Sequence, residues 1–172
     1  MQNRAFSIDD ILPIIKNVTI FSGLSDSQVR VIFENCTIVD VKIGEIILLE
    51  ATPATEIFII LSGKITIVLG LKSDDPIVLS EFGSGNCIGE ASVIGIQDHS
   101  ASAVVTEDAT LLVLSRQVLM KIFDTDKSLF SLLILNIARE IARRLHHTDE
   151  ILLHYGKKDR SIYPTFNPNL LK

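Results

Sequence analysis

Ile88-Gly89-Glu90-Ala91-Ser92-Val93, followed by His99-Ser100-Ala101-Ser102-Ala103, decides how this chain is read. A short β-branched stretch runs into a glycine, then into a turn with one carboxylate. A compact Ser/Ala segment then opens another strand. Glycine lets main-chain N–H groups come close to a ligand, and exposed amides at a helix start attract negative charge. Such a stretch can build a small anion pocket. Glu90 disfavours a phosphate, but its carboxylate can accept hydrogen bonds from a sugar hydroxyl.

Outward from this stretch, Thr37 to Ser115 reads as strands. Ile46 to Leu49 and Ile57 to Leu61 are β-branched runs, and Lys64 to Leu69 alternates, with Ser62-Gly63 predicted as the turn between the last two. Asp74-Asp75-Pro76 marks another turn. Ile77 to Leu79, Ala103 to Val105 and Thr110 to Leu114 complete the set. Short strands at this density, without long helices between them, predict an antiparallel roll or barrel. On the N-terminal side, Asp9 to Lys16 reads as a short helix interrupted by Pro13, a residue tolerated near a helix start. Ser25-Asp26-Ser27-Gln28 has capping-box form, and Val29, Ile32 and Phe33 continue it as a helical stripe.

On the C-terminal side, Ser115 can cap a helix through Phe123, and a long helix is predicted from about Ser128 to His154. Ile134, Ile137, Ile141, Leu145 and Leu152 recur at helical spacing, and Thr148 fills the gap before the last. The predicted length, ~40 Å at 1.5 Å per residue, exceeds what one small roll covers. The stripe therefore predicts a homodimer through residues 128–155; the alternative is packing on the chain's own roll. Glu140 and Arg144, four residues apart, suit a helix surface. The basic residues Arg139, Arg143, Arg144, Lys157, Lys158 and Arg160 read as a solvated face and tail. The expected class is mostly β with flanking helices (α+β): an antiparallel β-roll or jelly-roll with short N-terminal helices and a long C-terminal helix. Its expected parts are a helical segment 1–35, the roll 36–127, the dimerisation helix 128–155 and a tail 156–172.

In several places the chain resembles the cyclic-nucleotide-binding domain of catabolite-activator-type regulators and kinase regulatory subunits. Gly89-Glu90 matches the Gly-Glu of that family's phosphate-binding cassette, and the resemblance implies that Glu90 holds a ribose 2′-hydroxyl. Ser100-Ala101 matches the residues after the family's phosphate-binding arginine, whose place falls on His99. Lys42-Ile43-Gly44-Glu45-Ile46-Ile47 is similar to the opening hairpin of the roll, and Ile57 to Ile67 to its central pair of strands. The family's usual Glu-Gly-Asp is here Glu50-Ala51-Thr52, without its glycine. Ala142-Arg143-Arg144-Leu145-His146-His147-Thr148-Asp149-Glu150 resembles the dimer helix of activator relatives, which implies that Thr148 and Asp149 stand where a Thr-Ser pair contacts the purine. The match covers about residues 18 to 155. The implied ligand-binding residues are Gly89, Glu90, Ala91, His99, Ser100, Ala101, Thr148 and Asp149, and the implied ligand is cAMP or cGMP.

Composition narrows the classes. The chain has 172 residues, 47% hydrophobic and 6% aromatic with no Trp, so its core is aliphatic. A formal net charge of −5 argues against a free-standing nucleic-acid binder. After Gly156, Lys157 to Lys172 is too short for a DNA-reading helix-turn-helix, so no direct DNA binding is expected. Cys36 and Cys87 have no metal spacing and suggest a reduced, cytoplasmic setting. No signal peptide is expected from Met1 to Phe6. The apolar run Leu129 to Ile137, broken by Ser131 and Asn136, falls short of the ~20 residues of a membrane span. His99, His146, His147 and His154 form no His-x3-His pair, so no metal is expected. Nothing resembles a catalytic motif, and the chain is read as a non-enzyme.

Three functions follow. The first is a stand-alone cyclic-nucleotide sensor that signals to an unidentified protein partner through its C-terminal helix. The second is a roll that binds no nucleotide and serves dimerisation or docking. The third, ranked last, is a haem or metal sensor. The competing structural readings make Glu90 a surface carboxylate capping its short helix, and His99 a partly exposed residue at a strand start.

Overall fold

A computed structural model of the protein describes residues 2–3, 8–15 and 17–158. Its strands are β1 (Gln2–Asn3), β2 (Thr37–Val41), β3 (Ile46–Leu48), β4 (Glu56–Leu69), β5 (Ile77–Gly83), β6 (Cys87–Ile88) and β7 (Ser102–Ser115). Its helices are α1 (Ile8–Ile15), α2 (Asp26–Asn35), α3 (Glu90–Gly95), α4 (Arg116–Thr125) and α5 (Lys127–Lys158), with a 3-10 turn at Thr19–Phe21. The strands pair antiparallel in the order β1-β2-β7-β4-β5, with β3 added on β7 and β6 on β4. This is the antiparallel roll with flanking helices that strand density predicts.

Two apolar layers explain the sequence of β4. Ile57, Ile59 and Leu61 face a core built with Ile11, Ile15, Val29, Ile32, Leu119, Ile122, Leu129, Leu133 and Ile137 from the helices. Phe58 and Ile60 face the interior of the roll with Val39, Val41, Ile88, Val105 and Leu111. Alternate residues point to opposite faces, and both faces are buried, so the strand reads as one apolar run.

The predicted turn at Ser62-Gly63 is a break in register inside one continuous strand. Gly63 has φ +83°, and a Cβ there would stand 2.4 Å from the Asp108 carbonyl oxygen and 2.6 Å from the Ala109 Cα. The irregularity moves the inward-facing positions from Phe58 and Ile60 to Ile65, so the strand bends without exposing its apolar face. The two runs assigned to Ala103–Val105 and Thr110–Leu114 likewise belong to the single strand β7.

Local signals set the helix starts as expected. Ser25 and Gln28 form the reciprocal capping box, and the Ser115 hydroxyl accepts from the Val118 N–H. Asp126 caps α5 by accepting from the Leu129 N–H at 2.9 Å. The α5 stripe is divided. Ile137 is fully buried on the chain's own roll, with Ile134 and Ile141 packed partly against it, whereas Leu145, Ile151, Leu152 and Leu153 are exposed. At Ile134, Ile137 and Ile141 packing on the roll, the alternative reading, holds. Buried Asn136 donates from Nδ2 to the carbonyls of Ile20 (3.2 Å) and Ser22 (2.7 Å), which ties α5 to the 3-10 turn. The tail from Asp159 onward, including Arg160, lies outside the described residues. Among the described residues no helix is long and apolar enough to cross a membrane.

Candidate functional site

Strand β6 delivers the chain to Gly89, which adopts φ +84° and stands before the first turn of α3. A Cβ at this position would lie 2.9 Å from the Glu56 carbonyl oxygen and 3.7 Å from His99 Cε1. Conformation and close approach therefore both demand glycine. Glu90 follows and is buried, so it is not the surface cap of the competing reading. Its Oε1 accepts from Arg144 Nη1 of α5 at 2.6 Å, while its Oε2 is buried without a hydrogen-bond partner.

Arg144 is the centre of a network that joins the two elements. Its Nη2 donates to the Cys87 carbonyl at 2.6 Å, its Nε to Glu140 Oε1 at 3.0 Å, and its guanidinium lies 4.4 Å from the Phe82 ring centroid. Glu140 is also buried and accepts from Arg143 and from the Thr19 hydroxyl. Burial raises the Glu90 carboxyl above its ordinary value, against the opposing pull of Arg144. Burial also works to raise Glu140, but the Arg143 hydrogen bond, the Arg144 charge and the Thr19 hydroxyl outweigh it and hold that carboxyl low. Glu140 and Arg144 were expected on a solvated helix face. Instead Glu140 is buried and Arg144 half-buried in one polar network, because α5 lies against α3 at this level.

His99 is buried in the loop before β7, not exposed at a strand start. Its N–H donates to the Thr52 carbonyl at 2.9 Å, and its carbonyl accepts from the Ala51 N–H at 2.8 Å. Ala51, where the resemblance expects glycine, reaches that bond with φ +60°, so the turn is kept at the cost of a left-handed alanine. The imidazole borders a cleft of ≈ 130 Å³ with Leu48, Thr52, Pro53, Glu56 and Phe58. Burial lowers its pKa, and the Asp98 carboxylate pulls the other way. A larger groove, ≈ 810 Å³, runs along α4 past Glu56, Arg116, Met120 and Lys121, and neither Glu90 nor His99 borders it.

The remaining expected residues are more dispersed. Ala91 and Ser100 are exposed and Ala101 is half-buried beside the cassette. Thr148 and Asp149 are exposed one turn beyond Arg144, and the Thr148 hydroxyl donates to the Arg144 carbonyl of its own helix at 3.0 Å. Phe82 and Arg144 are the neighbours of the Glu90 cluster that sequence reasoning did not assign to the site. The one available signal was the Glu140/Arg144 spacing, which is equally common on exposed helices. Burial raises both thiols, Cys36 to about 12 and Cys87 beyond it. Among the described residues no cluster of His, Cys, Asp or Glu is arranged to hold a metal.

The site thus presents two polar features: the buried, unpartnered Oε2 of Glu90 and the buried imidazole of His99 at its cleft.

Comparison with known proteins bears on this geometry. The family model described as the cyclic nucleotide-binding domain matches residues 38–126, just over half of the chain. A cyclic nucleotide-binding domain from Methylobacillus flagellatus superposes with a TM-score of 0.76 at 22% identity, covering 86% of this chain and 83% of that one. The catabolite activator protein of Thermus thermophilus gives 0.70 at 25% identity, over 80% of this chain and 63% of that one. The regulatory domain of Toxoplasma gondii PKA, solved with cAMP, gives 0.64 at 15% identity, over 78% and 49%. The search of curated proteins gave no match.

Proposed function

This chain belongs to the cyclic nucleotide-binding domain family, and from that premise we propose that it is a regulatory module. It receives a ligand of the cyclic nucleotide class, cAMP or cGMP, through the ribose at Glu90 and passes occupancy to α5. It acts by binding, with no catalytic step. The Glu90–Arg144 pair is the observation that carries this reading. It is the one ion pair on which α3 and α5 meet among the described residues, and it leaves Glu90 Oε2 without a partner. A ribose hydroxyl donating to that oxygen would share the carboxylate with Arg144, which already donates to Oε1. The cleft at His99, ≈ 130 Å³, is below the ~300–1,000 Å³ of small-molecule sites, so admission of a nucleotide requires that cleft to widen. The neighbour solved with cAMP supports the ligand class. The exposed second half of α5 supports self-association there and a protein partner as the recipient of the signal.

Calorimetric titration of cAMP and cGMP into the wild type and Glu90→Gln tests the site. A charged hydrogen bond is worth ~1.5–3 kcal/mol, so the variant should bind at least about tenfold more weakly. Amide exchange across 137–150 should change on binding. Equal affinity in both proteins would remove Glu90 from the site. A folded wild type that binds no ribose-bearing ligand would leave the docking roll as the better description.

A further inference from the structure

We propose that α5 pairs antiparallel with α5 of a second copy of this chain. The inference rests on the self-association proposed above, and it fixes the face and the direction of that pairing. α5 is two-sided. Leu133, Asn136, Ile137 and Glu140 are buried on the side that meets the roll. On the opposite side Leu135, Ala138, Ala142, Leu145, Asp149 and Leu152 are all exposed. Their steps alternate between three and four residues, the heptad spacing by which one helix packs along another. This seam differs from the stripe legible in the sequence, because Ile134, Ile137 and Ile141 are spent on the chain's own roll. Arg144 and its contact with Glu90 lie off the seam, so pairing leaves them undisturbed.

The side chains along the seam fit one direction. In a parallel pair each residue meets its own copy. Asp149 then faces a second Asp149, and two like charges lose water together. Ala138 and Ala142 also face their copies, which leaves two thin layers next to each other. In an antiparallel pair, with the twofold axis between the Ala142 and Leu145 layers, each residue meets a different one. Leu135 meets Leu152 of the second copy, Ala142 meets Leu145, and Ala138 meets Asp149. A small side chain then opposes a large one at the centre, as dense packing requires. The two Asp149 carboxylates are moved to opposite ends of the seam. Each comes to lie where Arg139 of the other copy, exposed beside Ala138, flanks the same layer, so an acid meets a base.

The test is the distance between spin labels on Ser128→Cys in a Cys36→Ser background, measured by pulsed dipolar electron resonance. Sedimentation equilibrium gives the mass, and far-UV circular dichroism confirms that each protein is folded. The antiparallel seam puts Ser128 and its copy ~45 Å apart along the helix axis at 1.5 Å per residue. A parallel pair, with axes about 8–10 Å apart, would bring the two labels within ~20 Å. Arg139→Glu should weaken the dimer at least about tenfold by setting two acids on one layer, and adding Asp149→Arg should restore it. A dimer with labels within ~20 Å would overturn the antiparallel seam and leave self-association standing. So would a dimer that Arg139→Glu does not weaken, or one that Asp149→Arg fails to rescue. A wild type that sediments as a monomer would overturn both the seam and self-association, and leave the reading of Glu90 as the ribose site untouched.

Discussion

Replacing Arg144 with Met tests the contact between α3 and α5 directly. The side chain is 25% exposed, while those of Glu90 and Glu140 are 4% and 3% exposed. Glu140 keeps Arg143 and Thr19 after the change, but Glu90 loses its ion-pair partner. Removing one member of a buried pair costs ~3–5 kcal/mol. Partial exposure of Arg144 and the apolar contact that Met retains with Phe82 place the expected loss near the lower end, about 3 kcal/mol. Urea unfolding at pH 7.5 would measure it as a lower midpoint at unchanged slope. The loss should also depend on pH, and the sign is fixed. Burial already raises Glu90, with Arg144 opposing; without the guanidinium the folded-state value rises further. The stabilisation is then fully present below the unfolded carboxyl value and is lost as pH rises through the folded one. The gap between variant and wild type should therefore narrow at pH 5, by ~1.4 kcal/mol per unit of added shift. Glu90→Gln in the same background should recover much of the loss, since it removes the stranded charge. A loss under about 1 kcal/mol, the scale of an exposed pair, would refute the reasoning, as would a gap that does not change with pH.

Ala51→Gly should stabilise the fold. A left-handed L-residue costs ~1–2 kcal/mol, offset by glycine's greater freedom when unfolded, so a net gain of ~0.5–1 kcal/mol should appear as a small rise in Tm. Gly63→Ala should cost about 3 kcal/mol from left-handed strain plus collision with the Asp108 and Ala109 backbone; thermal unfolding near wild type would mean that β4 is not built around that glycine. Leu145→Glu with Leu152→Glu should lower the mass seen in sedimentation equilibrium from dimer to monomer without loss of helix. An unchanged mass would show that the second half of α5 does not pair.

Much of the architecture was readable because its causes are local. Ser25 with Gln28 and Ser115 with Val118 satisfy backbone donors within one turn, so helix starts show in the residue types. The length of α5 follows from an unbroken helical pattern. Strand continuity did not show. A glycine after a serine marks a turn in isolation, and only the opposing Asp108–Ala109 backbone turns it into an irregularity within one strand. The division of the α5 stripe was equally hidden, since Ile137 and Leu145 have the same period and differ only in what stands opposite them.

Gly89, Glu90 and His99 could be singled out as candidate positions, because glycine geometry and the order of residue types are properties of the chain. What each side chain does there was decided by the fold. Glu90 could have been a surface cap; α5 descends on it with Arg144 and buries it. Arg144 and Glu140 could have been solvated, and the same packing buries Glu140 and half-buries Arg144. His99 carries its chemistry in the sequence, but its burial comes with a cleft that it shares with Leu48, Thr52, Glu56 and Phe58, which are distant in the chain. Residue identity specifies the functional groups and the backbone's local options. Desolvation and charge pairing depend on which surfaces meet, and those are settled only when the helix closes over the roll.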